Sequence, residues 1–598
     1  MPAAVEIRRG KGALSDINGS YSQLESIPDA RPEQKRRPEV VVAELSISQQ
    51  PSATAGNRFG NVILGLLVRG FCTGLRLGWL AVPISLAVSM PPGLTDSVAD
   101  LLARKEQRLE SLWAEYWLAD YRAAQGDPSA STRRVQSAIR SELTDASFVR
   151  ALQAARFPDR LLERRRTLFL DEAARAQVAG DPSLAKLVEE ISRRETNFRY
   201  RVAGRELTRA ELATALQSNP DREVRRAAWE ARAQLSPTNG DPVRRAIRLR
   251  NALSRQYSGV PFADATLTRA EIDRSQLFQW FEEIQVASDA PYRRLIARMR
   301  EELRVTQVEP WDIDYYFSTF AKDLGGSVFR VADPWPSISR LAFDLSYDVK
   351  RLPIEVKVAD ITFGGATYPI LYGREIKILV NKYSGIRFVD TLLHEFGHAI
   401  HYAFAGERSF LLLKSGHSEA FDEGLAQVMA LMLYRPQVAM KYFGLNRDQA
   451  CAIADRYRLK SLFDMRETIA ESLFELAAYD NPEQDLAALY NRIYSAHLGL
   501  DLHGQAVWTF NPFYASEPLY LQNYVLAEMF ARQVHHTLQG RFGAQWGKSA
   551  GALLRNGLFS AGARTSRDEA LLSTTGEALT TKYLTDTFLR SRGDGACP

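Results

Sequence analysis

The strongest constraint on the fold is a long succession of segments with the apolar spacing of amphipathic helices. From about residue 95, apolar residues recur at intervals of three and four, with arginine and glutamate between them. This period places the apolar side chains on one face of each helix, where neighbouring helices bury them. The clearest segments are Leu101–Arg122, Arg133–Ala155, Pro158–Val178, Ser183–Val202, Arg209–Leu216 and Arg222–Leu235. The pattern predicts a mainly α fold.

One region departs from the helical period. Between residues 354 and 383, β-branched residues alternate or run together around Gly364, Gly365 and Gly373. Such residues, bounded by glycine, are typical of β-strands. Helical spacing resumes at Ile386 and continues almost to the end of the chain. We therefore expect one small β-sheet directly before a helix that begins near residue 386.

Length and charge narrow the function classes. At 598 residues the chain is too long for one simple core, so we expect two or more lobes. The formal net charge of +5 results from 76 basic and 71 acidic residues. So small an excess on so long a chain gives no reason to expect nucleic-acid binding.

The first ninety residues differ in composition from the rest. Residues 1–60 are rich in proline, serine, glycine and charge, with little apolar periodicity, so we expect a disordered tail. In residues 68–89, basic residues precede an apolar run from Leu77 to Leu86, and small residues follow it. This is the pattern of a signal peptide. The alternative is a buried or interfacial helix.

The position of this segment has consequences for localisation. A signal peptide at residues 68–89 implies that translation starts near Val68 rather than at Met1. The apolar run is too short to cross a bilayer, so we expect no stable membrane span. We expect a periplasmic or secreted protein if the segment is a signal peptide and a cytoplasmic one otherwise.

Histidine is scarce but concentrated in one place. Three of the eight histidines, His394, His398 and His401, fall within eight consecutive positions. His394 and His398 lie four residues apart in a segment with helical spacing, so their rings can point at one metal ion. Catalytic zinc takes three protein ligands, often imidazoles, and keeps a position for water. Glu395 would lie beside that water and could accept its proton, whereas His401 is expected to pack nearby.

A third ligand must come from another segment. Residues Ser418–Met429 form a second amphipathic pattern that offers Glu419, Asp422 and Glu423. Glu419 and Glu423 share one helix face, so spacing leaves both open, whereas Asp422 points about 100° away and is the least favoured. Gln427 lies one turn beyond Glu423 and could support the site through a hydrogen bond.

The segment Asp390–His401, with the sequence DTLLHEFGHAIH, resembles the zinc helix of the thimet oligopeptidase family, which includes neurolysin and oligoendopeptidase F. In that family the zinc-binding glutamate follows at a fixed interval in a Phe-x-Glu-x-x-x-Gln setting, and Phe421–Gln427 fits both. The resemblance therefore implies that Glu423 is the third ligand of one zinc ion per chain. Trp311–Tyr316 resembles the segment that precedes the family's catalytic lobe, and Thr575–Leu579 its closing turn.

This resemblance implies a fold and an activity. It is strongest over residues 300–585 and weaker over 95–300, so we expect an N-terminal helical lobe at 95–300 and a zinc catalytic lobe at 301–590. The family's fold would be a two-lobed helical ellipsoid with a deep channel and zinc at its floor. Such a channel would admit short peptides, so the resemblance implies zinc-dependent hydrolysis of short peptides, with Glu395 activating a zinc-bound water.

Members of this family also use a histidine and tyrosines on a late helix to stabilise the carbonyl oxygen as it becomes negative. The matching region, residues 511–524, has the tyrosines but no histidine at the matching place. Tyr524 fits the family's main tyrosine, Tyr520 lies one turn earlier on the same face, and Tyr514 stands where the histidine is expected. The resemblance implies that Tyr524 and Tyr520 assist Glu395 in catalysis.

Two alternative functions remain open. An exported dipeptidyl carboxypeptidase resembling angiotensin-converting enzyme would share the zinc ligands but hold the C terminus of its substrate. An inactive peptide-binding relative would be expected to lack a zinc ligand or the general base, and this chain retains His394, His398, Glu423 and Glu395.

Overall fold

The computed structural model describes residues 92–318, 333–361, 363–382, 385–405, 410–416, 418–544 and 546–589. The tail expected at residues 1–60 and the signal-peptide-like segment at 68–89 lie outside these residues. The division into lobes at residues 95–300 and 301–590 stays a prediction. No helix in the described part of the chain is long and apolar enough to cross a membrane.

The first part of the described chain is helical except for one short hairpin. Its elements are α1 (Pro92–Ala124), α2 (Arg133–Leu143), α3 (Ala146–Ala154), α4 (Arg160–Ala179), α5 (Pro182–Asn197), β1 (Tyr200–Val202), β2 (Arg205–Leu207), α6 (Arg209–Ser218), α7 (Arg222–Ala231), a 3-10 turn (Arg232–Leu235), α8 (Ser236–Ser258), α9 (Phe262–Arg269) and α10 (Arg274–Leu303). Residues 310–318 are also helical. The mainly α prediction is therefore confirmed.

Two helix boundaries differ from the sequence prediction, and both have local causes. The segment Arg133–Ala155 is two helices, because Asp145 caps the second by accepting hydrogen bonds from two backbone N–H groups. The segment Ser183–Val202 stops being helical at Asn197 and continues as the β1–β2 hairpin. Its turn, Ala203-Gly204, has φ angles of 47° and 77°, the left-handed conformation that tight hairpin turns require. The described residues therefore contain two small sheets, whereas one was expected.

The second part of the chain begins with the predicted sheet and ends in helices. Its elements are α11 (Trp335–Asp344), β3 (Ile354–Ala359), β4 (Gly365–Leu371), β5 (Glu375–Asn381), α12 (Gly385–Ala405), α13 (Leu411–Ser415), α14 (Glu419–Ala430), a 3-10 turn (Leu431–Tyr434), α15 (Pro436–Phe443), α16 (Arg447–Asp480), α17 (Leu486–Leu498), a 3-10 turn (Trp508–Phe510), α18 (Phe513–Ser516), α19 (Gln522–Phe542), α20 (Lys548–Leu554), a π turn (Arg555–Phe559), α21 (Arg567–Thr575) and α22 (Lys582–Leu589).

The three-stranded sheet lies against the helix that follows it. Its order is β3-β5-β4, with β3 parallel and β4 antiparallel to β5. The central strand β5 is the most buried, and Ile376, Ile378 and Val380 are fully enclosed. Strands β4 and β5 both pack on α12. The sheet predicted between residues 354 and 383 is present, and it fixes α12 on one side.

Glycine allows α12 and α14 to pack with their backbones almost in contact. A Cβ atom at Gly397 in α12 would lie 2.6 Å from the Cα of Ala426 in α14. A Cβ atom at Gly424 in α14 would lie 2.9 Å from the ring of Phe530 in α19. Distances this short exclude any side chain, so α14 lies tightly between α12 and α19.

We predict that Gly397→Ala lowers the free energy of unfolding by about 1–3 kcal/mol, because the added methyl group forces α12 and α14 apart. Urea denaturation in excess chelator measures this without a contribution from bound metal. Gly540→Ala is the matched control, because that glycine is helical and has open space around it. The control should lose no stability, since alanine favours helices by about 1 kcal/mol. Equal stability of Gly397→Ala and wild type would contradict the packing argument.

Candidate active site

Three side chains from two helices meet at one point. His394 and His398 project from successive turns of α12, with ring centroids 4.9 Å apart and ring planes at 83°. Glu423 comes from α14, directly beside the close approach at Gly397. One nitrogen from each histidine and one oxygen of Glu423 all lie within 4.8 Å of one another. Two imidazoles and a carboxylate at such distances are a donor set that suits zinc.

The structure distinguishes between the glutamates that spacing left open. The Oε2 atom of Glu423 lies 3.3 Å from Nε2 of His394, and its Oε1 accepts a hydrogen bond of 2.6 Å from the Tyr520 hydroxyl. Glu419 instead lies 3.6 Å from the guanidinium of Arg269. The arrangement therefore brings Glu423 to the histidines, the ligand that the resemblance implied.

Asp422 has a role that the sequence analysis did not foresee. Its Oδ1 atom lies 3.2 Å from Nδ1 of His398, and its Oδ2 accepts a 2.6 Å hydrogen bond from the Tyr402 hydroxyl. Metal-binding histidines commonly have their second ring nitrogen fixed by a carboxylate in this way. Spacing alone makes Asp422 the least favoured third ligand and indicates no other role for it. Its position before Glu423, on the helix facing the histidines, is the signal that could have identified it.

Glu395 is held by the neighbouring sheet. The Thr367 hydroxyl of β4 lies 2.8 Å from Oε2 of Glu395 and 2.9 Å from the backbone oxygen of the same residue. A Cβ atom at Gly365 would lie 2.9 Å from Cγ of Glu395, so glycine there lets the strand approach. Thr367 is a second residue that the sequence analysis missed, because only the strand register places it against α12.

The electrostatics of the site favour a bound cation. Burial lowers the pKa of His398, but the carboxylates of Asp422, Glu423 and Glu395 outweigh this effect and raise that pKa to about 10. Burial likewise lowers the pKa of His394, and Glu423 reverses the shift so that the pKa is raised. The Oε2 atom of Glu423 is buried and lies 3.3 Å from Nε2 of His394. Surplus negative charge beside two imidazoles fits a divalent metal ion.

The tyrosines predicted for catalysis occupy different positions. Tyr520 bonds Glu423, and the Tyr524 ring lies 5.4 Å from the Tyr520 ring. Burial, with Glu423, Glu517 and Glu395 nearby, raises the pKa of Tyr524, so its hydroxyl keeps its proton. Tyr514 packs instead against Phe474 and Trp508, with ring centroids 5.2 and 6.5 Å away. Tyr514 therefore does not take the place of the expected histidine.

Two further residues close to the ligands in sequence make hydrogen bonds to other parts of the fold. The Gln427 amide donates hydrogen bonds to the Tyr457 hydroxyl and to Oε2 of Glu528, at 2.6 and 2.7 Å. Gln427 thus connects α14 with α16 and α19. The spacing predicts instead that it supports a metal ligand through a hydrogen bond. His401 is fully buried, with Nδ1 3.1 Å from the backbone oxygen of Phe559. His401 packs near the site, as expected.

Comparison with known proteins identifies the fold. No family model matches the sequence, and no curated protein sequence matches it either. The structure is similar to Trypanosoma cruzi metallocarboxypeptidase 1, with 13% identity, a TM-score of 0.56, and coverage of 83% of this chain and 100% of that one. A putative oligoendopeptidase F has 16% identity and a TM-score of 0.60, with coverage of 83% of this chain and 94% of that one. The M32 carboxypeptidase from Deinococcus radiodurans R1 has 16% identity and a TM-score of 0.58, with coverage of 82% of this chain and 98% of that one.

These similarities establish the fold at low sequence identity. The chain has the fold of these metallocarboxypeptidase and oligoendopeptidase F structures, which agrees with the fold that the resemblance implied. The coverage extends over nearly the whole length of each solved structure.

We predict that Asp422→Asn weakens zinc binding roughly 10- to 100-fold, because the amide no longer fixes the ring of His398 or adds negative charge. Competition with a chromophoric chelator measures the affinity. Asp448→Asn, an exposed change at the start of α16, is the matched control and should bind zinc as wild type does. Unchanged affinity in Asp422→Asn would show that His398 is oriented by other contacts.

Proposed function

We propose that this protein is a zinc metallopeptidase of the oligopeptidase type that hydrolyses peptide bonds in short peptides. One observation carries the proposal: His394, His398 and Glu423 converge within 4.8 Å, with Glu395 next in sequence, on a metallopeptidase fold. These three residues would hold the metal. A zinc ion bound there would polarise the carbonyl group under attack and make a water molecule more acidic.

Glu395 is the general base in this proposal. Its carboxylate is positioned by the Thr367 hydroxyl and not by a cationic side chain within ion-pair distance among the described residues. It is therefore able to accept a proton from the attacking water and pass it to the leaving amine. Thr367 fixes the direction of the carboxylate, so both transfers occur from one position.

Strand β4 offers a way to place the substrate. Among the described residues it pairs with β5 alone, because the sheet order is β3-β5-β4. An extended peptide could add to the other edge through main-chain hydrogen bonds, which do not depend on its sequence. Since Thr367 of this strand contacts Glu395, a peptide bound there would run past the general base.

Tyr520 and Tyr524 have different roles in this proposal. The Tyr520 hydroxyl donates to Glu423 and so positions a metal ligand. Tyr524 keeps its proton, with Glu423 and Glu395 among its neighbouring charges, and is the donor for the carbonyl oxygen as negative charge develops on it. The expected histidine is not required if Tyr524 provides the hydrogen bond.

The neighbouring structures allow two modes of cleavage. Some are carboxypeptidases and one is an oligoendopeptidase by name, so the fold is compatible with removal of C-terminal residues and with internal cleavage. We favour internal cleavage because the sequence resemblance is to the oligopeptidases. A dipeptidyl carboxypeptidase and an inactive peptide-binding protein are the alternatives.

We predict that the purified zinc-loaded protein cuts short peptides internally and that Glu395→Gln abolishes cleavage while zinc stays bound. Digestion of a mixed peptide library, read by mass spectrometry, tests the first part, and metal analysis tests the second. Release of C-terminal residues or dipeptides would favour the carboxypeptidase alternatives. No cleavage by wild type would favour a binding protein, and turnover by Glu395→Gln would refute the role of the base.

We predict that Tyr524→Phe lowers kcat roughly 10²- to 10³-fold without weakening zinc binding, because one hydrogen bond to the developing oxyanion is lost. Tyr520→Phe is the comparison, and it should weaken zinc binding because Glu423 loses its partner. Steady-state kinetics on one library peptide and chelator competition give the two readouts. The opposite pattern would exchange the roles of the two tyrosines.

A further inference from the structure

A second group of charged side chains is built around a cavity of about 210 Å³. Glu467 and Glu471 line it from successive turns of α16, and Arg209 and Arg232 line it from α6 and the 3-10 turn after α7. None of these residues belongs to the zinc site. The volume is well above the roughly 30 Å³ that one water molecule occupies, so a small organic molecule can enter.

The acidic side of the cavity is held by neutral donors. The Tyr494 hydroxyl donates to Oε1 of Glu467 at 2.8 Å, and the Asn511 amide donates to Oε2 of Glu471 at 3.0 Å. Burial raises the pKa of Glu467 to about 7 and that of Glu471 to about 8. Among the described residues, no cationic side chain lies within ion-pair distance of either carboxyl group. Both groups therefore gain from a cation that enters the cavity.

The basic side makes its contacts elsewhere. The guanidinium of Arg232 donates to Asp314 at 2.9 Å, and its buried Nε has no partner among the described residues. Arg209 donates to the backbone oxygen of Phe510 at 2.5 Å. Both guanidinium groups lie over the Phe510 ring, at 4.1 and 4.9 Å from its centroid. Arg232 is therefore ion-paired with Asp314, whereas no ion pair is formed by Arg209 within the described chain. Neither arginine is ion-paired with the cavity glutamates, so the cavity keeps one cationic group, Arg209, opposite two carboxyl groups.

A ligand that fits this arrangement must carry both charges. A metal ion or simple ammonium ion would leave the Arg209 guanidinium without an anion, since only Arg232 is paired, with Asp314, and a simple anion would face two carboxyl groups. A free amino acid has an ammonium group with three donors for the glutamates and a carboxylate for the arginines. Trp229 and Phe510 also line the cavity and offer apolar contact to a side chain.

We propose that this cavity is a binding site for a free amino acid with an apolar side chain. The site goes beyond the proposed function and does not depend on it, because binding requires neither zinc nor Glu395. Occupancy would stabilise the packing of α6, the Arg232 turn and α16, since the ligand would contact ionisable side chains from all three.

Isothermal titration calorimetry on the full zinc-loaded protein tests the proposal with three probes. Leucine should bind saturably. Leucinamide lacks the carboxylate and N-acetylleucine lacks the ammonium group, so each should bind with an affinity at least roughly tenfold lower. Equal binding of leucinamide would make this a cation site, and equal binding of N-acetylleucine an anion site. No saturable binding of leucine up to roughly 10 mM would also overturn the proposal.

Substitutions place the binding in this cavity. Glu471→Gln keeps the shape but cannot ionise beside an ammonium group, and we predict that leucine binding falls by roughly tenfold or more. Arg209→Gln should have a similar effect, with thermal melting to confirm that each variant is folded. Asp448→Asn on the same helix is the control and should bind leucine normally. Leucine binding that survives both substitutions but disappears on zinc removal would assign it to the His394 site instead.

Discussion

The close approach of α12 and α14 at Gly397 is the contact on which the site depends. A Cβ atom there would lie 2.6 Å from Ala426, so the two backbones pack without side chains between them. At this separation a carboxylate as short as Glu423 reaches His394, and the shorter Asp422 reaches His398. The sheet limits α12 from the other side, where Gly365 allows β4 to contact Glu395. Gly397 and Gly365 therefore allow the short backbone distances at which the polar side chains of the site contact one another.

The site combines this packing with surplus negative charge. Asp422, Glu423 and Glu395 surround two histidines, and their combined effect outweighs burial and raises the pKa of His398. Charges buried in this way are costly unless they are paired. Folding alone therefore leaves the carboxylates short of positive charge, and a divalent cation would supply it. The residues that would hold a metal would therefore also gain stability from it.

The sequence allowed much of this site to be predicted, but not all. The spacing of His394 and His398 is a local property of one helix, so the sequence alone predicts that their rings lie on the same face. Spacing leaves Glu419 and Glu423 equivalent. The family resemblance favours Glu423, and the contact between α12 and α14 brings Glu423 beside His394. The helical angle of Asp422 makes it the least favoured metal ligand, whereas in the structure its carboxylate contacts Nδ1 of His398. Contacts of this kind depend on the positions of two helices, which no single periodic pattern contains.

The fold shows the same division between local and distant information. Helices and the three-stranded sheet follow from local periods, whereas the β1–β2 hairpin was missed because helical spacing continues up to its turn at Ala203. The tyrosines extend this argument to mechanism. Helical spacing made Tyr520 and Tyr524 equivalent, but the hydroxyl of Tyr520 has a single proton and donates it to Glu423. In the proposed mechanism this hydrogen bond leaves Tyr524 as the donor to a substrate oxygen.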